Sequence, residues 1–176
     1  RSSDLWMFDF SLLGMPFHFW TAIFFAQGAI LGSFFNVCIH RMPRGESVFS
    51  PPSHCPQCGY RIPLWLNVPI FTWLMLRGRC ANCKAPISAR YPAVELLTGV
   101  LSALVVWKLG SGWAGLSALF FLYSLIAMTF IDADTQLLPD DLTYPLLWAG
   151  LLSAPTARAQ EDFPSAEQAQ PIRVDR

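Results

Sequence analysis

Residues 17–39 form a run of 23 side chains without one formal charge, closed by His40 and Arg41. At about 1.5 Å per residue, such a helix crosses the roughly 30 Å hydrocarbon layer of a bilayer with some tilt. The rest of the chain is built alike. Apolar residues make up 53% and charged residues 14% of the 176, where soluble proteins carry about a quarter charged. The chain is therefore expected to be an all-α, multi-pass helical membrane protein. Residues 93–107 are apolar apart from Glu95, and Lys108 behind them can snorkel. Gly110-Ser111-Gly112 marks a tight turn. Residues 113–131 then give 19 uncharged positions ending at Asp132. The two runs predict a transmembrane helical hairpin over 93–131. Residues 142–154 read as the start of a fourth helix, too short to finish a span. Gly28 and Gly32 have the small-xxx-small spacing that lets another helix approach closely, although glycine is also simply common in membrane helices.

Between the first run and the hairpin lie two cysteine pairs, Cys55-Pro56-Gln57-Cys58 and Cys80-Ala81-Asn82-Cys83, with 21 residues between them. A thiolate pair two residues apart grips a metal from a tight turn, and two such knuckles complete a tetrahedron. The spacing is close to the zinc-ribbon range of about 15–20 residues. Gly59 and Lys84 follow as turn residues, and Arg61, Arg77, Arg79 and Lys84 favour thiolates. A structural zinc held by Cys55, Cys58, Cys80 and Cys83 is expected, stapling a zinc-ribbon-like loop too small for its own core. Two disulfides are the alternative, opposed by a reducing cytoplasm, and iron also accepts four thiolates. Cys38 reads as a small apolar filler. Residues 64–76 are apolar but only 13 long and interrupted by Pro69, too short to span. A crossing there would also put the two cysteine pairs on opposite sides. The segment is expected to be interfacial or packed against the membrane helices. No internal repeat is visible.

Charge sets the orientation. From Arg41 to Arg90 seven basic residues face a single acid, Glu46, and short basic loops stay in the cytoplasm. The loop is thus expected to be cytoplasmic, the amino terminus outside, and Asp132 beside the loop. The net charge of zero gives no reason to expect nucleic acid as a partner. Nothing near residue 1 reads as a cleavable signal peptide, and with Arg1 in place of Met the start is expected to lie earlier.

Asp132, Asp134, Asp140 and Asp141 follow the hairpin. An ionisable group at a membrane helix end is costly and a functional candidate by default. Composition alone favours a plainer reading, in which Asp132 and Asp134 mark the exit into water while Asp140 and Asp141 favour the next helix's start. Two carboxylates sharing a proton can activate water against a peptide bond. Asp132 and Asp134, two residues apart, do not share a helix face. Glu95 reads as a polar bridge between helices. The organisation is thus 1–40, amino-terminal segment and first helix; 41–92, cysteine loop; 93–131, hairpin; 132–154, acidic segment and start of a fourth helix; 155–176, a polar tail read as disordered.

Several motifs occur in an order that resembles the bacterial prepilin peptidases: Gly32-Ser33-Phe34-Phe35-Asn36-Val37, His40-Arg41, the two cysteine pairs, Arg90-Tyr91-Pro92 with Val94-Glu95, Ile131-Asp132-Ala133-Asp134, and Leu138-Pro139-Asp140. The resemblance runs from about Leu31 to Leu152. It implies an inner-membrane enzyme that removes the basic leader of type IV prepilins or type II secretion pseudopilins at the cytoplasmic face, then methylates the new amino terminus with S-adenosylmethionine. It implies an aspartic mechanism with Asp132 as one catalytic acid, and zinc on the four cysteines. The methyl-donor residues are not identified by any glycine-rich loop. The family's second aspartate ends a G-x-G-D motif on a later helix. Here the one G-x-G, Gly110-Ser111-Gly112, is followed by Trp113. The carboxy-terminal half is therefore expected to be missing, and the chain alone to be inactive as a peptidase. The rival readings are a non-catalytic, membrane-anchored zinc-binding interaction module and, third, a thiol redox protein.

Overall fold

A computed structural model describes residues 16–136 and 140–161. Residues 1–15, Leu138 and Pro139 of the last motif, and residues 162–176 of the tail lie outside the described residues. The described chain is helical, with no strand beyond two isolated bridges. Helix α1 spans Phe17–Arg41, α2 Phe71–Met75, α3 Arg90–Leu109, α4 Trp113–Thr135 and α5 Asp140–Glu161. Three helices are long and apolar enough to cross a membrane: α1 with its 3-10 extension, α3 and α4. This is a membrane protein with a helical hairpin, α3–α4, behind a first helix.

α1 and α3 run antiparallel at very close range. A Cβ on Gly28 would lie 2.3 Å from Ser102 Oγ, and one on Gly32 would lie 2.8 Å from Glu95 Cα. From the opposite side, one on Gly99 would lie 3.0 Å from the Phe25 carbonyl. Both glycines of α1 thus act as contact residues, and the small-residue spacing is a helix–helix seam. Hydrogen bonds fix its register: Asn36 Nδ2 donates to the Tyr91 carbonyl at 3.1 Å. Ser102 Oγ lies 3.0 Å from Tyr123 Oη and links α3 to α4. Phe24, Val106 and Leu119 form a small core shared by the three helices. At the turn 110–112, exposed Trp107 and Trp113, with the Lys108 ammonium 4.7 Å over the Trp107 ring, make the kind of aromatic belt that sits at a membrane surface.

Two helices are longer than the sequence suggested. α3 starts at Arg90, because Pro92 falls in its first turn, where a missing N–H costs nothing. α4 continues through Asp132 to Thr135. Thr135 donates back to the Ile131 carbonyl at 2.9 Å, and Gln136, in the left-handed region, closes the helix with its N–H on the Asp132 carbonyl at 2.8 Å. Asp132 therefore sits in the final turn rather than at the exit.

α5 belongs to a second unit that begins at Asp140. Asp140 and Asp141 lie in its first turn, where carboxylates oppose the positive end of the helix dipole. The helix runs past Ala154 to Glu161. Ala157, Arg158, Ala159, Gln160 and Glu161 are all strong helix formers. Among the described residues α5 is not one of the candidate spans.

The seam yields a first prediction. Gly32→Leu should lower the thermal stability of the detergent-solubilised protein by about 1–3 kcal/mol, whereas Gly150→Ala, where a Cβ meets open space, should leave it unchanged; a fluorescence melting curve reads both.

Candidate metal centre and membrane-edge acids

Arg41 turns the chain out of α1. Its buried guanidinium donates to the Ser47 carbonyl at 3.0 Å and the Pro51 carbonyl at 2.8 Å. The loop then forms two knuckles that repeat at an offset of 25 residues. Cys55 N–H donates to Tyr60 O, Gly59 N–H to Cys55 O, and Ile62 N–H to Ser53 O. Cys80 N–H donates to Ala85 O, Lys84 N–H to Cys80 O, and Ile87 N–H to Gly78 O. Each knuckle closes with one residue at positive φ, Gly59 at 68° and Lys84 at 60°. An internal repeat is therefore present, contrary to the sequence reading. Its signal was C-x-x-C-x-x-x-I, with Ile62 and Ile87 in matching places.

The knuckles bring all four sulfurs within 4.8 Å of one another. No disulfide joins the described cysteines. Cys55 Sγ and Cys83 Sγ are 3.8 Å apart, which is the edge of a tetrahedron whose centre lies about 2.3 Å from each thiolate, the zinc–sulfur length. The four cysteines can thus hold a zinc ion. The N–H of Tyr60 lowers the Cys58 pKa, and the N–H groups of Cys83 and Asn82 lower that of Cys80 to about 7. At Cys83 the N–H of Ala85 also favours the thiolate, but desolvation and the three neighbouring sulfurs outweigh it and lift the pKa to about 11. The cluster thus crowds negative charge that a cation would relieve. Asn82 Nδ2 donates to Cys58 Sγ at 3.7 Å, an outer contact of the kind that orients a ligand. Cys38 is buried in α1, apart from this group.

α2 ties the knuckles to the membrane helices. Trp73 Nε1 donates to the Ile87 carbonyl at 3.2 Å. Ile70, before α2, holds φ 61° and ψ −52°, a region that β-branched residues avoid. Its N–H donates to Glu95 Oε2 at 2.7 Å, and Ser33 of α1 hydrogen-bonds the same carboxylate. Glu95 therefore bridges α1 and α3 and also anchors the loop. Between the knuckles, α2 and the start of α3 lies a cavity of about 380 Å³, with Tyr60, Trp73, Tyr91 and Glu95 in its lining.

Asp132 and Asp134 lie at the same end of the hairpin as the loop. Arg90, at the start of α3, donates to Asp134 Oδ1 at 2.8 Å and to the Phe130 carbonyl at 3.4 Å. Its guanidinium stands 5.4 Å over the Phe130 ring. The half-exposed pair contributes at most about 1 kcal/mol, so its effect is to orient. It occupies Asp134 and leaves Asp132 exposed, with no side-chain partner among the described residues. The sequence separated the two acids only by helix face; the partner of Asp134, 44 residues away, carried no local signal.

Residues 26–109 match the family described as the bacterial peptidase A24 N-terminal domain. Residues 119–169, which contain Asp132, match the type IV leader peptidase family. Three similar curated proteins are each named prepilin leader peptidase/N-methyltransferase. That of Aeromonas hydrophila is 45% identical over 163 residues, covering 79% of this chain and 56% of the relative. That of Neisseria gonorrhoeae is 46% identical over 149, covering 71% and 52%. That of Klebsiella pneumoniae is 46% identical over 139, covering 76% and 61%. No solved structure matches. The chain spans about half the length of the curated relatives it matches. With both matches in chain order, and with the helices and cysteine knuckles that the resemblance implied, the chain belongs to the bacterial type IV leader peptidase family.

Proposed function

We propose that the full-length gene product removes the leader from type IV prepilins or type II secretion pseudopilins at the cytoplasmic face of the inner membrane, and then methylates the new amino terminus. The observation that carries this reading is the placement of Asp132 in the last turn of α4, at the same end as the loop and with its carboxylate uncommitted. A substrate whose apolar helix stays in the bilayer presents its leader at that level. In an aspartic mechanism one carboxylate takes a proton from water as it attacks the scissile carbonyl, and the other, protonated, donates to the carbonyl oxygen. Asp132 is the proposed member of that pair. Asp134 is not its partner, because it holds Arg90. The G-x-G-D motif that would bring the second acid does not occur in these 176 residues, and this span by itself is expected to be inactive as a peptidase. That same absence is what favours the second reading, a non-catalytic membrane-anchored zinc-binding module; leader removal by the full-length product separates the two.

The metal is proposed to be structural zinc, since four thiolates leave no open position. S-adenosylmethionine supplies the methyl group, and we place it in the cavity beneath the knuckles. Tyr60, Trp73 and Tyr91 offer aromatic faces, and Glu95 a carboxylate, to a sulfonium-bearing ligand with an apolar body.

Four outcomes follow. In the full-length product Asp132→Asn should reduce leader cleavage by about 10²–10⁴-fold or more, while Asp134→Asn should keep it within about tenfold; gel-shift of a co-expressed prepilin measures both. Elemental analysis should find one zinc per chain, lost in the Cys55→Ser/Cys80→Ser double variant. Chelation should make the loop protease-sensitive, and a loop that resists digestion without metal would overturn the structural role. Tyr91→Ala should weaken binding of labelled S-adenosylmethionine by about tenfold in equilibrium dialysis, with leader cleavage unchanged.

A further inference from the structure

The stretch between the knuckles carries an apolar face that nothing in the described residues covers. Residues 64–76 contain no charge. Trp65 is 76% exposed, Phe71 60%, Leu74 60% and Met75 62%. Phe71, Leu74 and Met75 stand at positions i, i+3 and i+4 of α2 and therefore share one face. The other face, through Trp73, is turned to the second knuckle.

The Glu95 contact fixes the level of this segment. Glu95 is five residues into α3, about 7.5 Å along its axis from Arg90, and it holds the Ile70 N–H. Exposed apolar residues of α3 lie on both sides of Glu95, Tyr91 before it and Leu96, Leu97 and Val100 after it. The start of α2 is thus level with the first exposed apolar turns of a candidate membrane span. The flanks are basic: Arg61, Arg77, Arg79 and Lys84 are exposed, and no acid occurs between Ser47 and Val94. An apolar face at bilayer depth with a cationic rim has the composition of an element that lies in an anionic membrane surface.

We propose that residues 64–76 form a monotopic element, with Trp65, Phe71, Leu74 and Met75 in the boundary between headgroups and acyl chains and Arg61 and Arg77 at lipid phosphates. The element holds the metal knuckles down on the membrane, so the loop is a bilayer-docked platform rather than a domain standing in solvent. The inference rests on reading α3 as a membrane span, not on the peptidase assignment.

The test is site-specific photo-crosslinking. Benzoylphenylalanine is placed singly at positions 71, 74 and 75 of the full-length protein in nanodiscs of phosphatidylethanolamine and phosphatidylglycerol. Position 97, on the exposed side of α3, is the lipid control, and position 57, exposed at a knuckle tip, the solvent control. Zinc content verifies that each labelled protein is folded. Phospholipid adducts at 71, 74 and 75 should match position 97 and exceed position 57 by about tenfold or more. Lipid labelling from 97 but not from those three positions, or products there that join two protein chains, would overturn the proposal. Failure at 97 as well would remove the span reading on which it stands.

Discussion

The approach of α1 to α3 through Gly28, Gly32 and Gly99 is the contact on which the remaining geometry depends. With backbones this close and antiparallel, the end of α1 at Arg41 and the start of α3 at Arg90 come out of the bilayer side by side. The intervening loop therefore leaves and re-enters at one point, with no need to bridge a gap. Asn36 on the Tyr91 carbonyl and Ser33 on the Glu95 carboxylate lock the same register. In lipid, where apolar side chains gain nothing from leaving water, such packing and interhelical hydrogen bonds are what hold helices together.

From this frame the two chemical features come to the same end of the hairpin. α3 carries the loop's exit and α4 returns to the same level, so the cysteine knuckles and Asp132 belong to one end of the helix pair. The Arg90–Asp134 pair reinforces that return and distinguishes two acids that otherwise look alike. One is engaged, and the other is left to the solvent boundary. The Glu95 carboxylate performs a comparable sorting at the head of α3. It joins the helix pairing to the loop, and its carboxylate receives the N–H of Ile70, whose backbone conformation an isolated chain would leave.

Much of this was legible because the signals are local. Charge-free runs of 19 and 23 residues declare spans, and C-x-x-C pairs declare knuckles regardless of what surrounds them. Asp132 was singled out by its position and by resemblance. What could not be read depends on distance in the chain or on backbone alone. Nothing near Glu95 announces that it receives the N–H of Ile70, 25 residues earlier. The knuckle repeat escaped notice because its likeness lies in hydrogen bonds, while Gly-Tyr-Arg in one copy stands where Lys-Ala-Pro does in the other. The end of α5 carries no apolar signal, because alanine, arginine, glutamine and glutamate make up a solvated helix as readily as an unstructured tail.

The repeat has a consequence for how the loop can be built. Each knuckle closes the backbone around its first cysteine within ten residues, from 53 to 62 and from 78 to 87. The chain between them meets the second knuckle at its entry, where Gly78 N–H donates to the Trp73 carbonyl and Arg79 N–H to the Leu76 carbonyl. Ahead of that entry the interval is relieved of the geometry of the centre, and its length and composition can answer to a different solvent. One half of the loop obeys the stereochemistry of four sulfurs, the other, as a bilayer-docked element, would obey the thickness of a lipid headgroup layer, and the Gly78 and Arg79 N–H groups couple the two together with the Trp73 indole on the Ile87 carbonyl.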